Sequence, residues 1–161
     1  MAARRATLAT VDATGRPRLV PICFALQERS GADMPAHPRL PSNTTGDGRP
    51  LVLHTAIDEK PKRAPDPLRL ARVRDILARP EATVLVDRWD ERWERLAWAR
   101  LHCHAELLGP GEGDPGERDG AIAALRAKYP QYATQRLEAR PLIRLTCQVT
   151  AAWGDLAEEE L

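Results

Sequence analysis

The stretch ATLATVDATGRPRLVPICFAL at residues 6–26 decides the fold class. Residues 6–11 read as a short β-strand, ended by the turn formers Asp12, Thr14 and Gly15. Residues 18–26, rich in Val, Ile and Phe, read as a second strand. The spacing between the two suits a hairpin. Pro21 has no N–H to give to a ladder, so its strand needs an edge or a bulge at that point. Two strands with no helix between them fit a doubly wound parallel sheet poorly. They fit an antiparallel barrel with peripheral helices better.

Working outward, residues 28–50 carry Gly, Pro, Ser, Asn and Asp with almost no apolar periodicity. That predicts a surface loop of more than twenty residues, which is long for a compact domain, inserted between strands or serving as a lid. Residues 51–57 predict a third strand, followed by the charged run Asp58-Glu59-Lys60-Pro61-Lys62-Arg63. Asp66-Pro67 has the grammar of a helix start, with Leu70, Val73, Ile76 and Leu77 as the apolar stripe and Pro80 as the stop. Strands follow at 82–87 and 96–108. Asp114-Pro115 opens a second helix with Ile122 and Leu125 inward, ended by Pro130. Residues 142–150 are the cleanest strand: Ile143, Leu145, Cys147 and Val149 share one face, and Arg144, Thr146 and Gln148 the other. The tally is six strands and two helices, in a single domain over residues 1–161 with the insertion at 28–50.

Composition excludes several function classes. The 161 residues carry a net charge of +1, which argues against a large sequence-independent nucleic-acid footprint. No apolar run approaches the ~20 residues of a membrane helix, and no signal peptide is visible behind Arg4 and Arg5. Cys23, Cys103 and Cys147 are odd in number and far apart in sequence, so a disulfide is not expected and a reducing cytoplasm is the default.

Among candidate sites, His102 and His104 share a strand face, but two histidines are too few for a closed zinc site and no CxxC or HExxH occurs. No metal is expected. No GxSxG elbow is present, and Cys23 lies in an apolar strand. No catalytic acid, base or nucleophile stands out. Phosphate chemistry has one candidate. Lys60, Lys62 and Arg63 put three cations within four residues just before a helix, where point charges, a guanidinium fork and backbone amides could meet an anion. The alternative is a solvated loop whose cations pair with Asp58, Glu59 and Asp66. The tryptophans Trp89, Trp93, Trp98 and Trp153 could stack on a planar ligand or pack in a core or dimer contact.

Five segments together resemble the pyridoxamine-5′-phosphate-oxidase-like split-barrel family, in its branch of bacterial flavin- or deazaflavin-dependent oxidoreductases. They are the opening hairpin, HTAIDEKPKR at 54–63, VLVDRWDERWERLAWARLHCHAEL at 84–107, ALRAKYPQY at 124–132, and Trp153 near the end. The resemblance implies a six-stranded antiparallel Greek-key split barrel of the FMN-binding type, a homodimer with two cofactors in interface clefts. It implies that Arg18, Val20, Pro21 and Ile22 lie on the cofactor-contacting strand, and that His54 and Thr55 meet the cofactor at the end of the third strand. Lys60 and Lys62 would hold phosphate with Arg63 adjoining, Trp98 would reach the partner's cofactor, and Trp153 would lie near the ring. The implied cofactor is FMN or the deazaflavin coenzyme F-420, with hydride moving to or from a small organic substrate. A non-enzymatic flavin or deazaflavin carrier and a dimeric scaffold with a vestigial site are the alternatives. The chain departs from the family pattern in having almost none of the helix that usually precedes the first strand, and in a 28–50 loop much longer than the expected tight turn. It also carries Trp98 where true pyridoxamine-phosphate oxidases use a glutamine, and it lacks their late Trp-x-x-Arg motif. Those last two departures argue against vitamin-B6 oxidase activity itself.

Overall fold

A computed structural model describes residues 3–27, 51–60 and 66–156. The predicted loop at 28–50 and the cations Lys62 and Arg63 lie outside the described residues. Among the described residues seven antiparallel strands form one sheet: β1 (Ala6–Val11), β2 (Pro17–Ile22), β3 (Ala25–Gln27), β4 (Leu51–Ala56), β5 (Glu81–Arg88), β6 (Ala97–Leu108) and β7 (Leu142–Trp153). Their order is β2-β1-β5-β6-β7-β4-β3. The two edge strands, β2 and β3, are neighbours in sequence, separated only by Cys23 and Phe24. A sheet whose two ends are joined by two residues must curl back on itself, which makes it a barrel.

Seven strands appear where six were expected, because the run over 18–26 breaks at Cys23-Phe24. The break is chemically paired. The Phe24 N–H donates to the Tyr129 hydroxyl at 2.9 Å, and that hydroxyl lies 2.9 Å from both the Phe24 and the Arg4 carbonyls. Backbone groups that leave the ladder are thus satisfied by one phenol. Pro17 and Pro21 sit on β2, an edge strand, where their missing N–H groups cost no ladder bond.

Helix α1 (Ala71–Ala78) packs against β1 and β6 and puts Val73 and Ile76 into the core beside Leu8, Val84 and Leu101. Asp66-Pro67 opens only a 3-10 turn, with the Asp66 side chain capping Leu68; the α-helix itself begins at Ala71. Leu77 is 61 % exposed, off the apolar stripe predicted for it. Helix α2 (Pro115–Lys128) begins where expected, its N-cap Asp114 accepting from the Glu117 N–H. It lies on β3 and β4 and buries Ala121, Ile122 and Leu125 with Tyr129 and Tyr132. Buried Arg118 on α2 donates to the carbonyls of Leu108, Gly109, Glu138 and Arg140, tying the connections on both sides of the helix to it. No helix among the described residues is long and apolar enough to cross a membrane.

The cysteine expectation is overturned. Cys103 and Cys147 form a disulfide, and Cys23 is the one free cysteine. The antiparallel register places them directly opposite each other on β6 and β7, so their 44-residue separation in sequence is no obstacle. Both are buried in the barrel interior, at 3 % and 0 % exposure.

Two outcomes follow for stability. Thiol titration of the unfolded, unreduced chain is expected to give one free thiol, rising to three after reduction. Tyr129→Phe strands the buried Phe24 N–H and its carbonyl, so it should cost about 1–3 kcal/mol, read as a lower melting temperature with the same fold by circular dichroism.

Candidate functional site

The outer face of β2-β1-β5-β6 and the far end of β7 is covered by neither described helix. Strand alternation writes its surface in rows. Pro21 pairs with Thr7, Thr7 with Leu85, Leu85 with Arg100, and Arg100 with Ala151. The next row runs Leu19, Ala9, Thr83, His102 and Gln148. At the other side, Trp98 stands between Asp87 and Trp153. The face is apolar beyond what an ordinary surface carries: Leu19 is 63 % exposed and Trp153 51 %, with Leu85 and Trp98 also exposed.

Trp153 reaches this face because of a bulge. From Leu108 to Leu101 the ladder keeps one register, with Cys103 opposite Cys147. Past it, Arg100 opposes Ala151 while Leu101 opposes Val149, so Thr150 is the extra residue. Simple alternation from Leu145 and Cys147 would aim Trp153 inward. The extra residue turns it outward, directly across from Trp98. The open groove they share is about 490 Å³, lined also by Leu85, Asp87, Arg88, Trp89 and Arg100. That size lies within the ~300–1,000 Å³ range of small-molecule sites.

The other predicted residues lie elsewhere. Arg18, Val20 and Ile22 face the opposite way from Pro21 on β2. The Arg18 guanidinium donates through Nε to Asp75 of α1 at 2.9 Å, and Asp75 also accepts from the Thr10 hydroxyl. His54 is fully buried beneath α2, its Nε2 3.2 Å from Glu117 Oε1. Arg144 continues that chain, 3.6 Å from Glu117 and 3.4 Å from Glu106, the latter contact lacking hydrogen-bond alignment. Thr55 is buried one residue along β4. Lys60 extends past the end of β4, its Nζ 3.3 Å from the Asp58 carboxylate. Asp58 also accepts from the Tyr132 hydroxyl at 3.4 Å, while Arg140 holds the Ile57 and Asp58 carbonyls. Burial raises the Tyr132 phenol, helped by the Cys23 thiol and Asp58 carboxylate nearby. Burial pulls the Arg72 guanidinium of α1 downward, against the opposing pull of Asp58.

Among the described site residues, only Pro21, Trp98 and Trp153 therefore share the open face. His54, Thr55 and Lys60 belong to the end of β7 where Leu142 pairs with Ala56. Leu142 and Trp153 are roughly 35 Å apart along β7 at about 3.3 Å per residue. A ribityl phosphate arm cannot bridge that distance. Arg88 and Arg100 were not singled out from the sequence. The strand alternation over 97–108 could have placed Arg100 beside Trp98. Among the described residues no group of three or more His, Cys, Asp or Glu is placed to hold a metal ion.

No known family profile matches the sequence, and no curated protein does. Solved structures do match. The haem storage protein HutZ from Vibrio cholerae is 15 % identical with a TM-score of 0.57, over 94 % of this chain and 86 % of that one. An F-420 reductase is 16 % identical with a TM-score of 0.52, over 94 % and 90 %. A pyridoxamine 5′-phosphate oxidase candidate from Listeria innocua is 12 % identical with a TM-score of 0.50, over 93 % and 86 %. The fold is the pyridoxamine-oxidase-like split barrel. At these identities the likeness concerns the fold, and the matched structures include both a reductase and a haem storage protein.

The chain under α2 gives a sharp stability test. Arg144→Met leaves Glu106 and Glu117 facing each other without their guanidinium. It should lose about 3 kcal/mol, which chemical denaturation will read.

Proposed function

We propose that the protein is a split-barrel oxidoreductase that holds FMN or coenzyme F-420 between two copies of itself and moves hydride to or from a small organic substrate. The observation that carries this reading is the Trp98–Trp153 pair on a bare sheet face. Two cross-strand indoles lining one groove offer aromatic surface to a flat tricyclic ring. When bound, the cofactor supplies the hydride chemistry; the protein supplies orientation and exclusion of water.

The separation along β7 supports the dimer. Lys60, Lys62 and Arg63 would bind the cofactor phosphate in one copy, while Trp98 and Trp153 would come together from the other. Because the two tryptophans are cross-strand partners, they travel as one unit. The apolar face around them, with Leu19 and Leu85, suits a protein–protein contact, where aromatics are enriched and charge is sparse. Lys60 would share its ammonium between Asp58 and phosphate. A carrier that binds flavin without turnover is the second reading. It is favoured by the scarcity of proton-transfer groups in the groove, where Asp87 is the only carboxylate among the described lining residues.

Titration of the purified chain with FMN and with F-420, followed by reoxidation of the reduced cofactor by added acceptors, separates the two readings. Turnover supports the enzyme; binding without turnover supports the carrier. Trp98→Ala and Trp153→Ala should each weaken binding by about tenfold. Lys60→Ala and Lys62→Ala should weaken binding of the phosphorylated cofactor ten- to a hundredfold, at about 1.5–3 kcal/mol per charge-assisted contact. Riboflavin or the bare deazaflavin ring should bind these two variants like the wild type. Sedimentation is expected to give a dimer; a monomer with cofactor bound would sink the shared-site reading.

A further inference from the structure

We propose that Asp87 sets ligand choice in the Trp98–Trp153 groove: its carboxylate accepts a hydrogen bond from a ring N–H that lies between two ring carbonyls, the imide edge of a flavin or deazaflavin. The inference rests on the cofactor reading above and adds a recognising residue to it. Asp87 stands directly opposite Trp98 in the β5–β6 ladder, and Trp98 stands directly opposite Trp153 in the β6–β7 ladder. The three side chains form one row across the open face, with Cβ atoms about 5 Å apart from strand to strand. Asp87 is partly buried and lines the groove, yet among the described residues it makes no hydrogen bond or ion pair.

The surroundings make that missing partner informative. Asp12, Asp58, Asp75 and Asp90 each hold a cation within 4 Å. Asp87 holds none, although Arg88 and Arg100 line the same groove. Arg88 directs its Nε to the Arg95 carbonyl at 2.8 Å, and Arg100 stands one row along, opposite Leu85. A partly buried carboxylate with no partner carries a desolvation cost that a bound donor would offset.

The groove's own chemistry narrows the donor. An ionised carboxylate only accepts, so the ligand must bring the hydrogen. Two guanidiniums against one carboxylate leave the described lining net positive, which counts against an ammonium as that donor. A neutral N–H remains. Asp87 shares its row with two indoles, so the N–H belongs at the edge of a flat ring. Carbonyls on either side of that N–H suit a lining that also carries guanidinium N–H groups. The bond to the carboxylate is charge-assisted, and a methyl group on the ring nitrogen removes it outright.

The full chain is titrated with FMN, with F-420, and with the form of each that is methylated on the imide nitrogen, the binding being followed by ligand fluorescence. The wild type is expected to bind the parent cofactor about tenfold more tightly than its methylated form. Asp87→Ala should bind the parent about tenfold more weakly than the wild type does, and should no longer tell the two forms apart. Asp87→Asn keeps an uncharged acceptor and should fall between them. Because Asp87 holds no partner among the described residues, both variants should keep the wild-type melting temperature. A wild type that binds parent and methylated forms alike, or a preference that survives in Asp87→Ala, would overturn this assignment and leave the cofactor reading standing. A wild type that binds neither FMN nor F-420 would overturn both.

Discussion

The pairing of β6 with β7 is the constraint from which most of this structure follows. It sets Cys103 against Cys147 inside the barrel, Glu106 against Arg144 beneath α2, and Trp98 against Trp153 on the open face. A slip of one residue would turn every one of those side chains to the other side of the sheet. The register is pinned from three directions. Apolar residues at Leu101, Ala105, Ile143 and Leu145 must face inward, the disulfide fixes one rung covalently, and the bulge at Thr150 absorbs one extra residue. A 44-residue loop closed by a cross-link is worth about 4 kcal/mol in the chain-entropy account, comparable to the whole margin of a modest domain.

Much of the fold was legible because local chemistry and global topology agree. Residues 6–11 form β1 over the predicted span, and the Asp-Pro grammar at Asp114 opens α2 as expected. Pro21 needed an edge, and β2 is an edge. Failures came where a distant group overrides the local pattern. The break at Cys23-Phe24 depends on the Tyr129 hydroxyl, more than a hundred residues away, which no window around Phe24 contains. The disulfide depends on register, and register cannot be read from spacing. At Asp66 the same Asp-Pro signal gives only a 3-10 turn, since Leu70 is extended and the α-helix starts anew after it.

The candidate site shows the same division. Trp98 could be assigned outward from the alternation over 97–108, but Trp153 could not, because period-two counting along β7 points it into the core. Only the extra residue reverses it. His54 and Arg18 match positions that the family resemblance assigns to cofactor contact. In this chain His54 lies within hydrogen-bond distance of Glu117, and Arg18 pairs with Asp75. Both contacts join elements of the barrel to its helices, α2 for His54 and α1 for Arg18.

The geometry also limits what one copy can do alone. A cofactor that used both the basic run after β4 and the indole pair would need them within one ribityl arm of each other. A single chain puts them at opposite ends of β7. Bending within a barrel shortens that distance but does not abolish it, because strands tilted in a barrel wall stay extended along their own length. Two antiparallel copies packed through the bare face would bring the indole end of one toward the β4 end of the other. The face that carries the exposed Leu19, Leu85, Trp98 and Trp153 would then supply the missing half of the site.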